Sequence, residues 1–597
     1  MTTADSGADT KVERLTENLQ KMEGLTQRLA AAMARRRQAD PALAGPSGEV
    51  YTKAAAAYLA EMMQNPAKIL EHQVGYWGKT LKHYVEAQQA LAGGELKAPP
   101  DETPRDRRFA NPLWETHPFF NYLKQQYLLN SEAMTNALSD MKIDDPVDRR
   151  RVDYFIRQIV DMFAPTNFLA TNPEALQKAV ETQGESLVQG LENLVRDIEA
   201  NEGEMLVTLA DKTAFTVGDN IGTAQGSVVY RNRMMEVIQY APTTEKVHKT
   251  PLVIFPPWIN KFYILDLKPQ NSLIRWVVDQ GYTLFVISWV NPDASYASIG
   301  MDDYIRDGYL RAIAEVRRIT GEKQVNAVGY CIAGTTLALT LAHLEKAGDK
   351  SVKSATFFTT LTDFRDQGEF SVFLTDDFVD GIERQIGVDG ILSSFFMSRT
   401  FSFLRSNDLI YTPAIRSYMM GEAPPAFDLL FWNGDSTNLP GKMAVEYLRG
   451  LCQRNEFAGE GFNVFGHPVS PADIRLPICG IACETDHIAA WKASFNGFRR
   501  FGSKDKTFIL SESGHIAGIV NPPSKGKYGH WTNGAPEGEP EVWKRQADFT
   551  PGSWWPRWEA WLAERSGPMI RARVPGDSGA EILGPAPGSY VSMQPNP

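Results

Sequence analysis

The chain has 597 residues, with 61 Lys+Arg against 72 Asp+Glu and a net charge of −11. Hydrophobic residues make up 43% and charged residues 22%. That balance excludes a wholly disordered, collagen-like or coiled-coil chain, and the acidity makes a general nucleic-acid binder a poor reading. The length allows about four average domains or two large ones. The opening MTTADSGADTKVERLTENLQ lacks the basic region and apolar stretch of a signal peptide. No run approaches the roughly 18 apolar residues of a membrane span, so no transmembrane segment is expected. Four cysteines, Cys331, Cys452, Cys479 and Cys483, are too few for a disulfide framework in so long a chain and point to a reducing cytoplasm.

In chain order, residues 1–105 are polar and Ala-rich. Leu15, Leu19, Met22, Leu25 and Leu29 recur at helical spacing. Gly93 to Asp106 reads as a Pro/Gly-rich linker, and the aromatic stretch 111–130 as a helix. Residues 1–210 are therefore expected to form a mostly α-helical N-terminal domain. After that the pattern changes. Strands are expected at 227–230, 235–238, 251–255, 283–289, 325–330, 354–359, 476–482 and 507–510, with helices at 272–280, 302–319, 332–345 and 491–500. Short apolar runs alternating with amphipathic helices imply an α/β domain over 211–597, built on a mostly parallel, doubly wound sheet. The rhythm breaks between about 365 and 450. That stretch is too long for an ordinary connection and reads as an inserted lid. The Pro/Gly-rich tail from about Gly567 is expected to be irregular.

The sharpest local pattern is Gly329-Tyr330-Cys331-Ile332-Ala333-Gly334, between a strand and a helix. This is the setting of a nucleophile elbow, where a sharp turn with small flanking residues lifts the central side chain above the sheet. Such elbows usually read G-x-S-x-G. Here Cys331 holds the centre and Ala333 replaces the last glycine. A helix N-terminus favours the thiolate, and the backbone N–H of Ile332 would face a developing oxyanion. A nucleophile needs a base and an orienting group, here expected in the order nucleophile, acid, histidine. Asp486 lies just past the 476–482 strand, and His515 follows 29 residues later, after the 507–510 strand. Both positions are on the rim where open α/β sheets bind ligands.

Other candidates are weaker. His487 adjoins Asp486, but successive side chains diverge, so a supporting role is expected. His467 and His530 have no partner pattern. Cys479 and Cys483 lack the further ligands of a zinc site and read as buried packing. The loop Phe255 to Lys261 is where a second oxyanion N–H would fall. No phosphate-cradling glycine loop stands out, so neither a nucleotide cofactor nor a metal is expected.

Taken together, VVYRNRMMEVIQY, PPWINKFYILDL, GYCIAG, the run from LRSNDL to PPAFDLLFWNGDSTNLPG, ETDHIAAW and SGHIAGIVNPP resemble a polyhydroxyalkanoate synthase of the α/β-hydrolase superfamily. Weaker similarity extends to HPFFNYLKQQYLL and PAPGSYV. The resemblance implies an α/β-hydrolase fold with an inserted lid, Cys331 as nucleophile, Asp486 as acid and His515 as the histidine. It implies an acyltransferase that takes (R)-3-hydroxyacyl-CoA, releases CoA and extends a polyester. The long N-terminal block resembles the self-sufficient class, which acts as a homodimer on short hydroxyacyl chains, placing the protein in the cytoplasm at the polymer-granule surface. The family's elbow more often reads G-x-C-x-G-G, from which Ala333 departs. Either His515 or Asp486 would activate the attacking hydroxyl, and Phe427, Leu429, Phe431 and Trp432 are apolar candidates for excluding water. The alternatives are a cysteine-elbow thioesterase or esterase releasing free acid, a granule-coating protein, and a membrane-lipid acyltransferase.

Overall fold

The computed structural model describes residues 6–34, 106–139, 143, 145–201 and 203–594, together with Tyr76, Lys79, Leu81 and Val85. Most of the linker expected at Gly93 to Asp106 lies outside the described residues. The chain divides into two compact units, Met1–Asp211 with Phe401–Pro425, and Lys212–Thr400 with Ala426–Pro597. Part of the segment read from sequence as a lid therefore belongs with the helices.

The first unit holds helices Ser6–Met33, Leu113–Thr116, Pro118–Ser139, Pro146–Met162, Pro173–Glu181 and Glu185–Ala200. In the helix Ser6–Met33, Leu25 is buried and packs against Val188 and Val195, with Leu29 alongside. A separate aromatic core joins Phe109, Trp114, Phe120 and Tyr127. The helix Pro146–Met162 starts where Asp145 accepts the N–H groups of Val147 and Asp148 and Pro146 supplies a fixed φ. The 401–425 segment is tied in by Tyr418, whose hydroxyl donates to buried Asp197 at 2.9 Å. Gly190 is required there, since a Cβ would come 2.1 Å from the Tyr418 carbonyl oxygen.

The second unit is built on an eleven-stranded sheet. Its strands are β1 (Gly226–Arg231), β2 (Met235–Tyr240), β3 (Leu252–Phe255), β4 (Leu284–Trp289), β5 (Val325–Tyr330), β6 (Val352–Phe358), β7 (Ile478–Cys483), β8 (Lys506–Ser511), β9 (His530–Thr532), β10 (Asp548–Thr550) and β11 (Gly584–Pro585). Their order is β10-β9-β8-β7-β6-β5-β3-β4-β2-β1-β11. Every pairing from β8 through to β4 is parallel, and the flanking strands are antiparallel. The central strands β3, β4, β5 and β7 are buried along their whole length, as helices on both faces require.

Two expectations need correction. The helix read over 302–319 runs from Met301 to Thr320 but widens into a π turn at Tyr304–Leu310. The wide turn brings Gly308 against the Trp289 ring and stacks Tyr309 on Phe255 at 4.2 Å. The tail is also not simply irregular. Met569–Arg571 pairs with Lys246–His248, and Gly584–Pro585 closes the sheet edge as β11. Edge strands tolerate proline, because the outward N–H has no partner to lose. Further on, buried Glu236 accepts the backbone N–H groups of Ser589 and Tyr590 and the Ser589 hydroxyl. Among the described residues, no helix is long and apolar enough to cross a membrane.

Candidate active site

Strand β5 ends at Tyr330 and the helix Ile332–Lys346 starts at Ile332, which leaves Cys331 alone in the turn. Its backbone has φ 54° and ψ −126°, a conformation costly for a non-glycine residue. The turn is held on all sides. Cys331 N–H donates to the Phe358 carbonyl at 2.8 Å, and the Cys331 carbonyl accepts Gly334 N–H at 2.9 Å. Thr360 Oγ1 donates to that same carbonyl at 3.3 Å.

Ala333 finds its explanation in the same geometry. A Cβ at Gly329 would meet the Gly334 Cα at 2.5 Å, and one at Gly334 would meet Thr360 Oγ1 at 2.0 Å. The tight approaches thus fall on Gly329 and Gly334. Position 333 carries its methyl group fully buried, with its carbonyl accepting the Tyr309 hydroxyl at 2.9 Å.

Asp486 and His515 follow β7 and β8, which pair in parallel register up to Cys483 and Ser511. Asp486 is buried, and its Oδ1 accepts the N–H groups of Ile488 at 2.8 Å and Ala489 at 2.9 Å. Its Oδ2 lies 2.7 Å from His515 Nδ1. Ser513, at φ 74°, makes the turn that delivers His515. The His515 ring stacks on Tyr330 at 5.8 Å, and the Tyr330 hydroxyl donates to the His515 carbonyl at 3.2 Å. Burial alone would disfavour the imidazolium. The Asp486 carboxylate outweighs it, and Cys331 adds to that through its charge and a hydrogen bond, so His515 titrates well above 6.5. The structure therefore brings Cys331, His515 and Asp486 into one connected group, with Nδ1 committed to Asp486 and Nε2 left for the thiol. Ile332 is the first residue of its helix, where backbone N–H groups have no intrahelical acceptor.

The other sequence candidates fall elsewhere. Cys452, Cys479 and Cys483 are buried, and burial pushes their thiols up, that of Cys452 to about 12. His530 lies in β9 with Nδ1 3.0 Å from the Gly552 carbonyl, a structural contact. His467 sits in the hairpin Phe462–Val464/His467–Val469. The loop after β3 is stitched to the 432–438 segment. Trp432 Nε1 donates to the Lys261 carbonyl at 2.7 Å, and Thr437 Oγ1 to the Trp258 carbonyl at 2.8 Å. Leu429, Phe431, Ile516 and Cys331 each pack against the same large hydrophobic core, Trp432 is buried within it, and Phe427 is exposed. Sequence reasoning missed Tyr330, Thr360, Tyr309 and Ser513, which hold the elbow and the histidine. Only Tyr330 had a signal, as part of the elbow motif itself. Among the described residues no group of three or more His, Cys, Asp or Glu is placed to hold a metal ion.

A parallel sheet carrying a nucleophile elbow after β5, a carboxylate after β7 and a histidine after β8 defines an α/β-hydrolase. Residues 250–522 match the family model described as alpha/beta hydrolase fold. Residues 105–277 match the model described as the N-terminus of poly-beta-hydroxybutyrate polymerase (PhaC). The chain is 41% identical to a poly(3-hydroxyalkanoate) polymerase subunit PhaC of Rhizobium etli, over 89% of this chain and 84% of that protein. It is 41% identical to the PhaC subunit of Cupriavidus necator, over 90% of each, and 35% identical to poly(3-hydroxyalkanoate) polymerase 2 of Ectopseudomonas oleovorans, over 86% and 92%. The chain belongs to the poly(3-hydroxyalkanoate) polymerase family, acyltransferases of the α/β-hydrolase superfamily.

Proposed function

We propose that this chain polymerises (R)-3-hydroxyacyl-CoA, with 3-hydroxybutyryl-CoA the first substrate to try, through an acyl-thioester on Cys331. The observation that carries the reading is the 2.7 Å contact between His515 and Asp486 beside Cys331. His515 Nε2 takes the thiol proton, and the sulfur attacks the thioester carbonyl. The Ile332 N–H meets the developing oxyanion. CoA leaves, taking the proton back from His515, and the acyl group stays on Cys331. The 3-hydroxyl of a monomer or growing chain then attacks this still-activated thioester and gives its proton to a base. The ester C–O bond forms as the C–S bond breaks, and Cys331 leaves and regains the proton.

Both Asp486 oxygens are engaged, one by two backbone N–H groups and the other by His515. That supports His515, rather than Asp486, as the base for the hydroxyl as well. Leu429 and Phe431, which pack on the same apolar core as Cys331, are the residues we assign to keeping water from the acyl-enzyme. The reading calls for no metal or nucleotide cofactor, since the CoA thioester is a substrate. A homodimer working at the surface of its own polyester granule in the cytoplasm rests on family likeness alone.

The test is turnover of (R)-3-hydroxybutyryl-CoA by the full chain beside Cys331→Ala, following CoA release and acid-insoluble product. Release with polymer, both lost in the variant, is expected. Release with only free acid would mean a thioesterase instead.

A further inference from the structure

A group of ammonium side chains near the carboxyl ends of the strands has no part in the chemistry above. Lys268 lies in the loop that follows β3, while Lys525 and Lys527 lie on the segment from His515 to β9. The two loops meet, because Lys525 Nζ donates to Asn271 Oδ1 at 2.8 Å, three residues beyond Lys268. Lys268 Nζ lies 2.9 Å from Asp428 Oδ2. Asp428 opens the helix Asp428–Asn433, whose Leu429 and Phe431 pack against the same hydrophobic core as Cys331. Both lysine-bearing loops leave the carboxyl ends of their strands, β3 and β8, and the second also carries His515.

Lys525 and Lys527 are exposed, and the Lys268 side chain is about half exposed. Partial burial lowers the Lys525 pKa, Lys268 lowers it further, Asp428 pulls it back up by less, and Lys527 adds a smaller downward push. Three cations thus crowd one carboxylate in a chain whose net charge is −11. Such crowding is unfavourable in the free protein and is relieved by a multivalent anion. Lysine, a compact point charge with rotatable donors, suits phosphate oxygens that must be released at every turnover.

We propose that Lys268, Lys525 and Lys527 receive the phosphate groups of the substrate's CoA, an adenosine carrying a 3′-phosphate and a 5′-diphosphate, and so hold the thioester end toward Cys331. Asp428 keeps Lys268 in place, and the cluster stays net positive. This assignment rests on the acyl-CoA reading above.

The experiment is equilibrium binding of adenosine 3′,5′-bisphosphate to the full chain and to Lys525→Gln/Lys527→Gln. Both changes are at exposed positions and spare the core. Binding to the wild type should weaken with salt and fall on the order of tenfold in the variant. Adenosine, which lacks phosphates, should not distinguish the two proteins. Equal affinity for the bisphosphate in both proteins, or none in the wild type, would overturn the site. In turnover, the KM for 3-hydroxybutyryl-CoA should rise by a similar factor with kcat unchanged, while the N-acetylcysteamine thioester should be used equally well by both. An equal loss on both substrates would also overturn it. A wild type that binds the bisphosphate through these lysines but releases no CoA would uphold the site and count against the polymerase reading.

Discussion

Lys261 and Asp435 form a buried ion pair, with Nζ 2.7 Å from Oδ1 and side-chain exposures of 3% and 10%. Neither charge is left bare. The other carboxylate oxygen accepts the Tyr263 hydroxyl at 2.8 Å, and the ammonium also donates to the Met593 carbonyl at 3.0 Å. The pair joins the loop after β3, the segment after the helix Asp428–Asn433, and the end of the chain. Removing one partner strands a buried charge, which costs about 3–5 kcal/mol. Lys261→Met should therefore lower stability by that order in urea unfolding, and Lys261→Met with Asp435→Leu by clearly less. Strictly additive losses would show that the two charges are not coupled.

The elbow yields a contrast between adjacent residues. Gly334→Ala forces a methyl group onto Thr360 Oγ1, an overpacking of about 1–3 kcal/mol at the turn that holds Cys331. Ala333→Gly removes a buried methyl near a helix start and costs about 1 kcal/mol. Measured kcat/KM should fall sharply in the first variant and little in the second.

The cysteines should separate by reactivity. Burial holds the thiols of Cys452, Cys479 and Cys483 up and out of solvent, while Cys331 is partly exposed. Iodoacetamide at pH 8 should modify Cys331 alone in the folded protein and all four in urea, as read by peptide mass spectrometry. Native labelling of any other cysteine would contradict the burial described.

His515 sets a pH dependence. Its folded pKa lies well above 6.5, despite burial, because of Asp486 and Cys331. A raised pKa gives stability that is fully present below the unfolded value of about 6.5 and lost as pH rises through the folded value. Asp486→Asn should therefore destabilise more at pH 6 than at pH 9, and the His515 ring should titrate lower in the variant by NMR. Activity should drop on the order of a thousandfold or more, as when a catalytic histidine loses its orienting carboxylate.

Much of this site could be read from the sequence. Cys331, Asp486 and His515 stood out because each follows a strand, and because the 29 residues from Asp486 to His515 fit one helix and one strand. The supports were hidden. Thr360 and Tyr309 act from other elements, across contacts that no local spacing encodes. Ala333 looked like a departure until Gly329 and Gly334 proved to be the crowded positions. Strands β9 and β10, at three residues each, are too short to show a period. The pairing of the tail with β1 and Glu236 is a contact between the ends of the α/β unit, invisible to a pattern read along the chain.

The most direct measurement is rapid quench of the full chain with (R)-3-hydroxybutyryl-CoA, followed by proteolysis and mass spectrometry at acid pH. The expected result is a Cys331 peptide carrying one or more hydroxybutyryl units, absent in Cys331→Ala. CoA release with the acyl group on another residue, or with Cys331 unmodified throughout turnover, would contradict the thioester mechanism.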